Sequence, residues 1–433
     1  MKQSKPTPEF HGAATAVWAV IAAFGAYFCM YGFRKPFTVA EYQGLHAWNW
    51  EFKVAAVSAQ TLGYMLSKFI GIKVISELDP RRRAAMILKL IVVAELALVG
   101  FGMAPAPWNV ALLFLNGLPL GMVFGLVLGF LEGRRLTEAM AAGLCASFIL
   151  ADGVVKSVGK WLLGLGVTEF WMPAAAGLVF LLPLAGFVWM LMHVPAPSQE
   201  DVALRSARGT MRVEQRQQLL SRYWRGLAPL LLMYLVITII RSIRADFAPE
   251  IWSDLGVTTA PSLFARSEFL VAVGVLLVNG SSVLIRDNRL AFLTSLWTGL
   301  AGMVLVAAAL LARPWGLPPF VFMVSIGLGL YLPYVAMHTT VFERMMAMTR
   351  EHGNIAFLMY VADSIGYLGY VALIMTKQYW KLESGHLSLF VTTSWIAVGL
   401  TAASLLAAWL YFARLPVATT SAAAPAEAAG EAT

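Results

Sequence analysis

Stretches of about 20 apolar residues recur along the whole length of this chain. In a helix, that length crosses the hydrocarbon core of a bilayer, so each stretch predicts a membrane span. The composition of the 433 residues agrees, because 59% are hydrophobic, only 13% are charged and the mean hydropathy is +0.71. We predict an all-α integral membrane protein with twelve spans, at 13–37, 52–76, 84–105, 108–131, 141–165, 169–193, 224–248, 262–286, 289–312, 317–342, 354–377 and 388–413.

The formal net charge of +8 comes from basic residues that cluster in alternate loops. The intervening loops, such as 104–109 and 166–173, carry almost none. This positive-inside pattern predicts a multi-pass protein of a bacterial-type inner membrane, with both termini in the cytoplasm. The charge therefore indicates topology in a lipid bilayer, and it argues against nucleic-acid binding. The basic clusters lie at 81–83, 134–135, 205–225, 286–289 and 344–350.

The longest polar stretch, 195–223, divides the predicted spans into two sets of six. We interpret it as a cytoplasmic linker loop between an N-terminal half, 1–194, and a C-terminal half, 224–414. The last segment, 415–433, is rich in small and polar residues and is predicted to be a disordered tail.

A sequence repeat relates the two halves. The first and seventh spans carry polar residues at spacings of four and three, which place three side chains on one helical face. The ends of spans four and ten also match, as do Ala151-Asp152 and Ala362-Asp363 in spans five and eleven. Because the matches keep their order, they predict two pseudo-symmetric six-helix bundles, the major facilitator fold. The repeated triplets are Tyr27, Tyr31 and Arg34, and Tyr234, Thr238 and Arg241.

Charged side chains inside apolar spans cost free energy, so they usually face a cavity or a partner. Arg34 and Arg241 hold equivalent positions, and two facing guanidinium groups repel each other unless an anion lies between them. A guanidinium binds two phosphate oxygens at once, so the pair predicts an anion site, to which Lys68 could add a third positive charge. The alternative for Arg34 is that it ends its span and reaches the membrane interface, as we expect of Lys35.

Acidic side chains in the spans allow two interpretations, internal ion pairs or contacts with substrate and proton. Asp152 and Lys156 lie four residues apart, a spacing that lets them neutralise each other. Asp363 has no basic neighbour on its own helix, and we predict an unpaired carboxylate that can carry a proton. Further ion pairs are expected of Asp246, with Arg244 or another helix, and of the helix-ending Glu132 and Glu343.

Three segments, YFCMYGFRKPF, GYMLSKFIG and IIRSIRADFAPEIW, resemble the organophosphate:phosphate antiporters of the major facilitator superfamily, typified by the glycerol-3-phosphate transporter. The resemblance runs over nearly all twelve spans. It implies that Arg34, Arg241 and Lys68 bind the phosphate group of a substrate. It also implies substrate-binding roles for Tyr27, Tyr31, Tyr64, Glu268, Tyr331 and Tyr367.

The sequence departs from that family in three places. The histidine of the family's fifth span has no counterpart, and the segment offers Asp152 and Lys156 instead. After span two, the usual Asp-Arg is replaced by Ser76-Glu77, and the end of span four, 129–140, is also unlike the family. We therefore expect a divergent branch with a substrate of its own.

These observations predict a secondary transporter that exchanges a small anion, a phosphate ester or inorganic phosphate, by alternating access. One alternative is a proton-coupled symporter of an organic anion, with Asp152, Lys156 or Asp363 in proton coupling. Another is a membrane sensor that binds phosphate esters without moving them. We expect no enzymatic activity, cofactor or metal, because metal-ligand and nucleotide-binding spacings are absent from the sequence. The expected form is a monomer.

Overall fold

A computed structural model describes residues 12–131, 137–195, 213–258, 260–349, 355–376 and 385–415. Within these ranges, twelve long helices follow one another in the order that the apolar stretches predict. They are α1 Gly12–Met30, α2 Phe52–Glu77, α3 Arg83–Met103, α4 Val110–Leu131, α5 Thr137–Gly164, α6 Met172–Met192, α7 Val213–Asp246, α8 Pro261–Ser281, α9 Asn288–Ala312, α10 Pro319–Thr349, α11 Ile355–Thr376 and α12 His386–Arg414.

Shorter elements connect the long helices. Two strands, β1 His46–Ala47 and β2 Trp50–Glu51, form an antiparallel hairpin before α2. A short helix, Ala248–Asp254, follows α7, and a π-helical stretch, Met337–Val341, interrupts α10. The 3-10 turns are Tyr31–Phe33, Pro36–Val39, Pro80–Arg82, Ser282–Leu284 and Arg313–Trp315.

The predicted first span is wrong at its end, because α1 stops at Met30 and two 3-10 turns continue to Val39. Pro36 begins the second turn, and because proline lacks a backbone N–H it cannot donate to the carbonyl of Gly32 as a continued helix would require. Gly32, inside the first turn, leaves the space that the ring of Phe180 occupies, because a Cβ there would lie 2.3 Å from that ring.

The predicted linker loop is also partly wrong, because α7 begins at Val213 and the segment 213–223 is helical. That segment consists largely of Glu, Gln, Arg and Leu, which favour helix. The rest of the linker, 196–212, lies outside the described residues, as do Glu132 and the tail, 416–433.

Nine of the helices in the described ranges are long and apolar enough to cross a membrane, and the other three are α1, α2 and α5. Large apolar side chains such as Leu96, Leu182 and Leu277 lie exposed on the outside of the bundle. Such a surface suits contact with lipid, so the protein is a multi-pass membrane protein.

The helices form two bundles of six that meet along two equivalent contacts. In the first bundle, α2 and α3 pack against α4, and α1 packs against α5 and α6. In the second, α7 packs against α11 and α12, and α9 packs against α10 and α12. Between the bundles, α2 packs against α11 and α5 packs against α8. These contacts correspond under the six-span repeat, which confirms the pseudo-symmetric fold. We call the end where α1 begins and α12 ends the terminal face, and the other end the opposite face.

Candidate anion site

The break after α1 places Arg34 at the end of a 3-10 turn, where a pair of amide side chains holds the backbone. Asn116 of α4 donates a hydrogen bond from Nδ2 to the carbonyl oxygen of Phe33 at 3.0 Å. Gln60 of α2 donates from Nε2 to the carbonyl oxygen of Arg34 at 2.5 Å and to Asn116 Oδ1 at 3.1 Å. Backbone carbonyls outside a helix need such partners inside a membrane. We call Gln60 and Asn116 the amide clamp.

Removing half of the amide clamp should destabilise the protein. We expect Asn116→Leu to lower the free energy of unfolding by about 1–3 kcal/mol, because the buried carbonyl of Phe33 loses its donor. Thermal unfolding in detergent measures the change. Asn279→Leu is the matched control, since Asn279 is also buried but its Nδ2 has no hydrogen-bond partner in the structure. Equal losses in the two variants would contradict the role of the clamp.

Arg34 and Arg241 line one narrow cavity between the two bundles. Only 4% of Arg34 and 8% of Arg241 is exposed, so both guanidinium groups are almost withdrawn from the surface. Arg241 lies within α7, which stays α-helical to Asp246, whereas Arg34 follows the break after α1. The sequence repeat therefore brings the two arginines together without repeating the backbone around them. Other side chains of the cavity wall are Tyr31, Thr61, Phe148, Ser242, Tyr331, Tyr367 and Tyr370.

Each guanidinium group lies over aromatic rings. The Arg34 Cζ atom is 3.6 Å from the ring centre of Tyr64, and the Arg241 Cζ atom is 4.3 Å from that of Tyr334. Arg34 Nη1 also donates a hydrogen bond to the Tyr31 hydroxyl at 3.3 Å. Rings at these distances stabilise a cation by cation–π attraction but leave its charge uncompensated.

Neither arginine has an acidic partner in the part of the chain that the structure describes. The Nε atoms of Arg34 and Arg241 are both buried without a hydrogen-bond acceptor. Thr238 holds the position in α7 that corresponds to Tyr31, and its hydroxyl oxygen is also buried without a partner. Buried charges are normally paired, so the cavity is suited to an anion that would supply the missing acceptors.

On the opposite-face side of the cavity, two ion pairs join the bundles. Lys35 pairs with Asp246, which also accepts a hydrogen bond from the Tyr370 hydroxyl at 2.8 Å. Lys53, at the start of α2, pairs with Glu250 of the short helix. The expectation that Lys35 reaches the membrane interface is wrong, because the C-terminal half provides a buried acid. Of the two alternatives for Asp246, the partner on another element is the one observed.

Each bundle also contains an ion pair of its own. Lys156 Nζ is 2.5 Å from Asp152 Oδ2, as the spacing predicts, and it also donates to the carbonyl oxygen of Ala245 in the other half. Asp152 lines the cavity and its Oδ1 is buried without a partner. Arg244 is 2.8 Å from Glu268, so this acid neutralises a neighbouring cation.

On the terminal-face side of the cavity, Lys68 of α2 pairs with Asp363 of α11. The prediction of an unpaired Asp363 is therefore wrong. Asp363 also accepts a hydrogen bond from the Tyr234 hydroxyl, and His338 Nε2 lies 4.0 Å from its Oδ1. His338 Nδ1 lies 3.0 Å from the carbonyl oxygen of Tyr334. A carbonyl oxygen can only accept a hydrogen bond, so this ring nitrogen carries the proton. Asp363 is thus shared by three elements.

A family model described as "Family of unknown function (DUF5690)" matches residues 36–415 of the chain. This chain belongs to that family. No curated protein matches the sequence of this DUF5690 member.

Two solved structures resemble the DUF5690 protein over almost its whole length. The first, a D-xylose-proton symporter, is 13% identical with a TM-score of 0.59, and the match covers 91% of this chain and 96% of that chain. The second, a variant of the nucleoside transporter NupG, is 12% identical with a TM-score of 0.58 and coverages of 92% and 99%. At such low identity these likenesses show the fold alone, which is that of the major facilitator superfamily. The resemblance to organophosphate antiporters stays a prediction.

The DUF5690 structure brings some of the predicted site residues to the cavity and leaves others beside it. Arg34, Arg241, Tyr31, Tyr331, Tyr367 and Asp152 line the cavity, whereas Lys68, Glu268, Lys156 and Asp363 are held in ion pairs. Tyr27 and Tyr64 lie behind the cavity wall. The Tyr27 ring packs edge-on against Tyr31 of the wall, and its hydroxyl is 3.4 Å from that of Tyr64, whose ring lies under Arg34.

Several residues near the site were missed by the sequence analysis. Tyr334 and Tyr370 each follow a predicted tyrosine by three residues, a spacing that places them on the same helical face. His338 is missed because a lone histidine in an apolar span has no local pattern. Among the residues that the structure describes, no group of three His, Cys, Asp or Glu side chains could hold a metal ion.

Proposed function

We propose that this DUF5690 protein is a secondary transporter that exchanges a small anion, inorganic phosphate or a phosphate ester, across the inner membrane. The observation that carries the proposal is the pair of buried arginines in one cavity between the two bundles. Guanidinium groups match the geometry of phosphate oxygens and stay charged at any physiological pH. An anion between Arg34 and Arg241 would give both of them acceptors and remove their mutual repulsion.

The way the bundles meet on either side of this cavity supports alternating access. The pairs Lys35–Asp246 and Lys53–Glu250 join the bundles toward the opposite face, and Lys68–Asp363 joins them toward the terminal face. Rocking of one bundle against the other would break one set of pairs while the other stays formed. With an empty cavity, the uncompensated arginines would resist closure, which favours exchange over net flux. We place the terminal face in the cytoplasm.

A second candidate is proton-coupled symport of an organic anion, and the surroundings of Asp363 favour it. A proton on Asp363 would release Lys68, and the Tyr234 hydroxyl lies between this carboxylate and His338, 3.3 Å from the ring Nε2. In this mechanism Asp363 carries the proton while Lys68 turns to the anion.

Counterflow in liposomes tests the proposal. Vesicles loaded with unlabelled phosphate should take up labelled phosphate, and phosphate esters should compete, whereas xylose and uridine should not, because they carry no charge for the arginines. Uptake into phosphate-free vesicles that follows a pH gradient would instead support symport. Binding of phosphate without any flux would indicate a sensor. Transport of an uncharged sugar or nucleoside without phosphate transport would contradict an anion site.

A further inference from the structure

Glu95 is a buried acid that does not line the anion cavity. It lies near the middle of α3 and is 8% exposed. Both of its carboxyl oxygens are buried without a hydrogen-bond partner. Among the acidic residues that the structure describes, Glu95 alone has this property for both oxygens.

In the part of the chain that the structure describes, no charged side chain pairs with Glu95. The helices α4 and α6, which pack against α3, contain no Asp, Glu, Lys, Arg or His in their described ranges. The turn Tyr31–Phe33 also packs against α3. Its one ionisable side chain, Tyr31, accepts a hydrogen bond from Arg34 at the cavity. On α3 itself, the ionisable neighbours Arg83 and Lys89 lie one or more turns away, toward the terminal face, where the turn Pro80–Arg82 also packs.

Gly177 of α6 leaves the space that the carboxyl group of Glu95 fills. A Cβ at Gly177 would lie 2.1 Å from Glu95 Oε2 and 3.1 Å from the ring of Phe33. The carboxyl group is therefore enclosed between α3, α6 and the turn that precedes Arg34. An unpaired carboxylate ion in such a place would cost several kcal/mol, whereas the neutral acid costs far less.

We propose that Glu95 is a proton-binding site of the N-terminal half, separate from the anion cavity. Its carboxyl group holds a proton in the arrangement of helices described above. The proton leaves only when α3 and α6 separate enough to admit water or a cation. The site adds a protonatable group to the protein that does not depend on the proposed exchange of phosphate.

Infrared difference spectroscopy tests this proposal on the purified protein without substrate. The spectrum of the wild type minus that of Glu95→Gln should contain the carbonyl band of a neutral carboxylic acid at neutral pH. Glutamine keeps the shape of the side chain, so the variant should unfold at the same temperature as the wild type. Carboxylate bands in the difference spectrum at neutral pH would overturn the proposal.

If Glu95→Gln does not fold, modification of the wild type by dicyclohexylcarbodiimide decides the question. The acid O–H adds across one C=N bond of the reagent and the acyl group then shifts to nitrogen, so no group leaves and the masses add. We expect the adduct on Glu95 and none on Glu268, an equally buried acid that is paired with Arg244. An unmodified Glu95, or equal modification of both acids, would overturn the proposal. Because no arm uses phosphate, failure here leaves the transport proposal standing, and the reverse also holds.

Discussion

Arg241→Ala should lower the affinity for phosphate by roughly 30-fold to several thousand-fold, equivalent to about 2–5 kcal/mol. The alanine removes one of two buried guanidinium groups that we propose to hold the anion, and the other, Arg34, cannot reach both sides of the cavity. Arg241→Lys should lose less, because it keeps the charge but not the planar fork that binds two oxygens. Calorimetric titration of phosphate into the detergent-purified protein measures all three affinities.

Arg244→Ala is the matched control for that experiment. Arg244 lies one turn further along α7 and is equally buried, but Glu268 neutralises it at 2.8 Å. Its loss should lower the free energy of unfolding by about 3–5 kcal/mol, because it leaves a buried carboxylate unpaired. The folded fraction should still bind phosphate with an affinity close to that of the wild type. Wild-type affinity in folded Arg241→Ala would contradict the arginine site.

Breaking the ion pair between Lys68 and Asp363 should also destabilise the protein strongly. We expect Lys68→Met or Asp363→Leu alone to lower the free energy of unfolding by about 3–5 kcal/mol, because either change leaves one buried ion without its partner. The double variant, Lys68→Met with Asp363→Leu, should recover most of the loss, since it buries no ion. Thermal and denaturant unfolding of the four proteins gives the coupling energy.

The double variant also separates structure from transport. A recovered melting temperature with no recovered flux would show that the pair acts in the transport cycle as well as in folding. Losses that simply add in the double variant would contradict the ion pair itself. Lys89→Met is a suitable control for the loss of one positive charge, because Lys89 is exposed on α3.

The helices could be predicted from the sequence because the signal for a membrane span is local. For example, the boundaries of α4, α9 and α12 differ from the predicted ones by two residues or fewer. The end of the first span could not be located from hydropathy, since YGFRKPF closes the apolar run while the backbone already leaves the α-helix at Tyr31. Hydropathy also began the prediction for α7 too late, at 224, because the first turns of the helix, from Val213, are polar.

The ion pairs show what local patterns cannot predict. Asp152 and Lys156 lie on one helix, and their pairing follows from their spacing. Lys35 and Asp246 are 211 residues apart, and Lys68 and Asp363 are 295 residues apart, so only the packing of the two bundles brings them together. Glu95 was missed for a related reason. The sequence shows a single acid in an apolar span, but only the packed structure shows that this acid has no partner.

The ion pairs between the bundles have a consequence for how the protein is made. Lys35, Lys53 and Lys68 all belong to the N-terminal half, and their partners Asp246, Glu250 and Asp363 all belong to the C-terminal half. At about 5–20 residues per second, Asp363 leaves the ribosome roughly 15–60 s after Lys68. Each ammonium group lacks its carboxylate until that partner is made, and Lys68 waits longest because Asp363 is made after Asp246 and Glu250. The N-terminal half therefore depends on the C-terminal half for its charge balance. A chain that ends before the C-terminal half is made would keep these three lysines without their acidic partners.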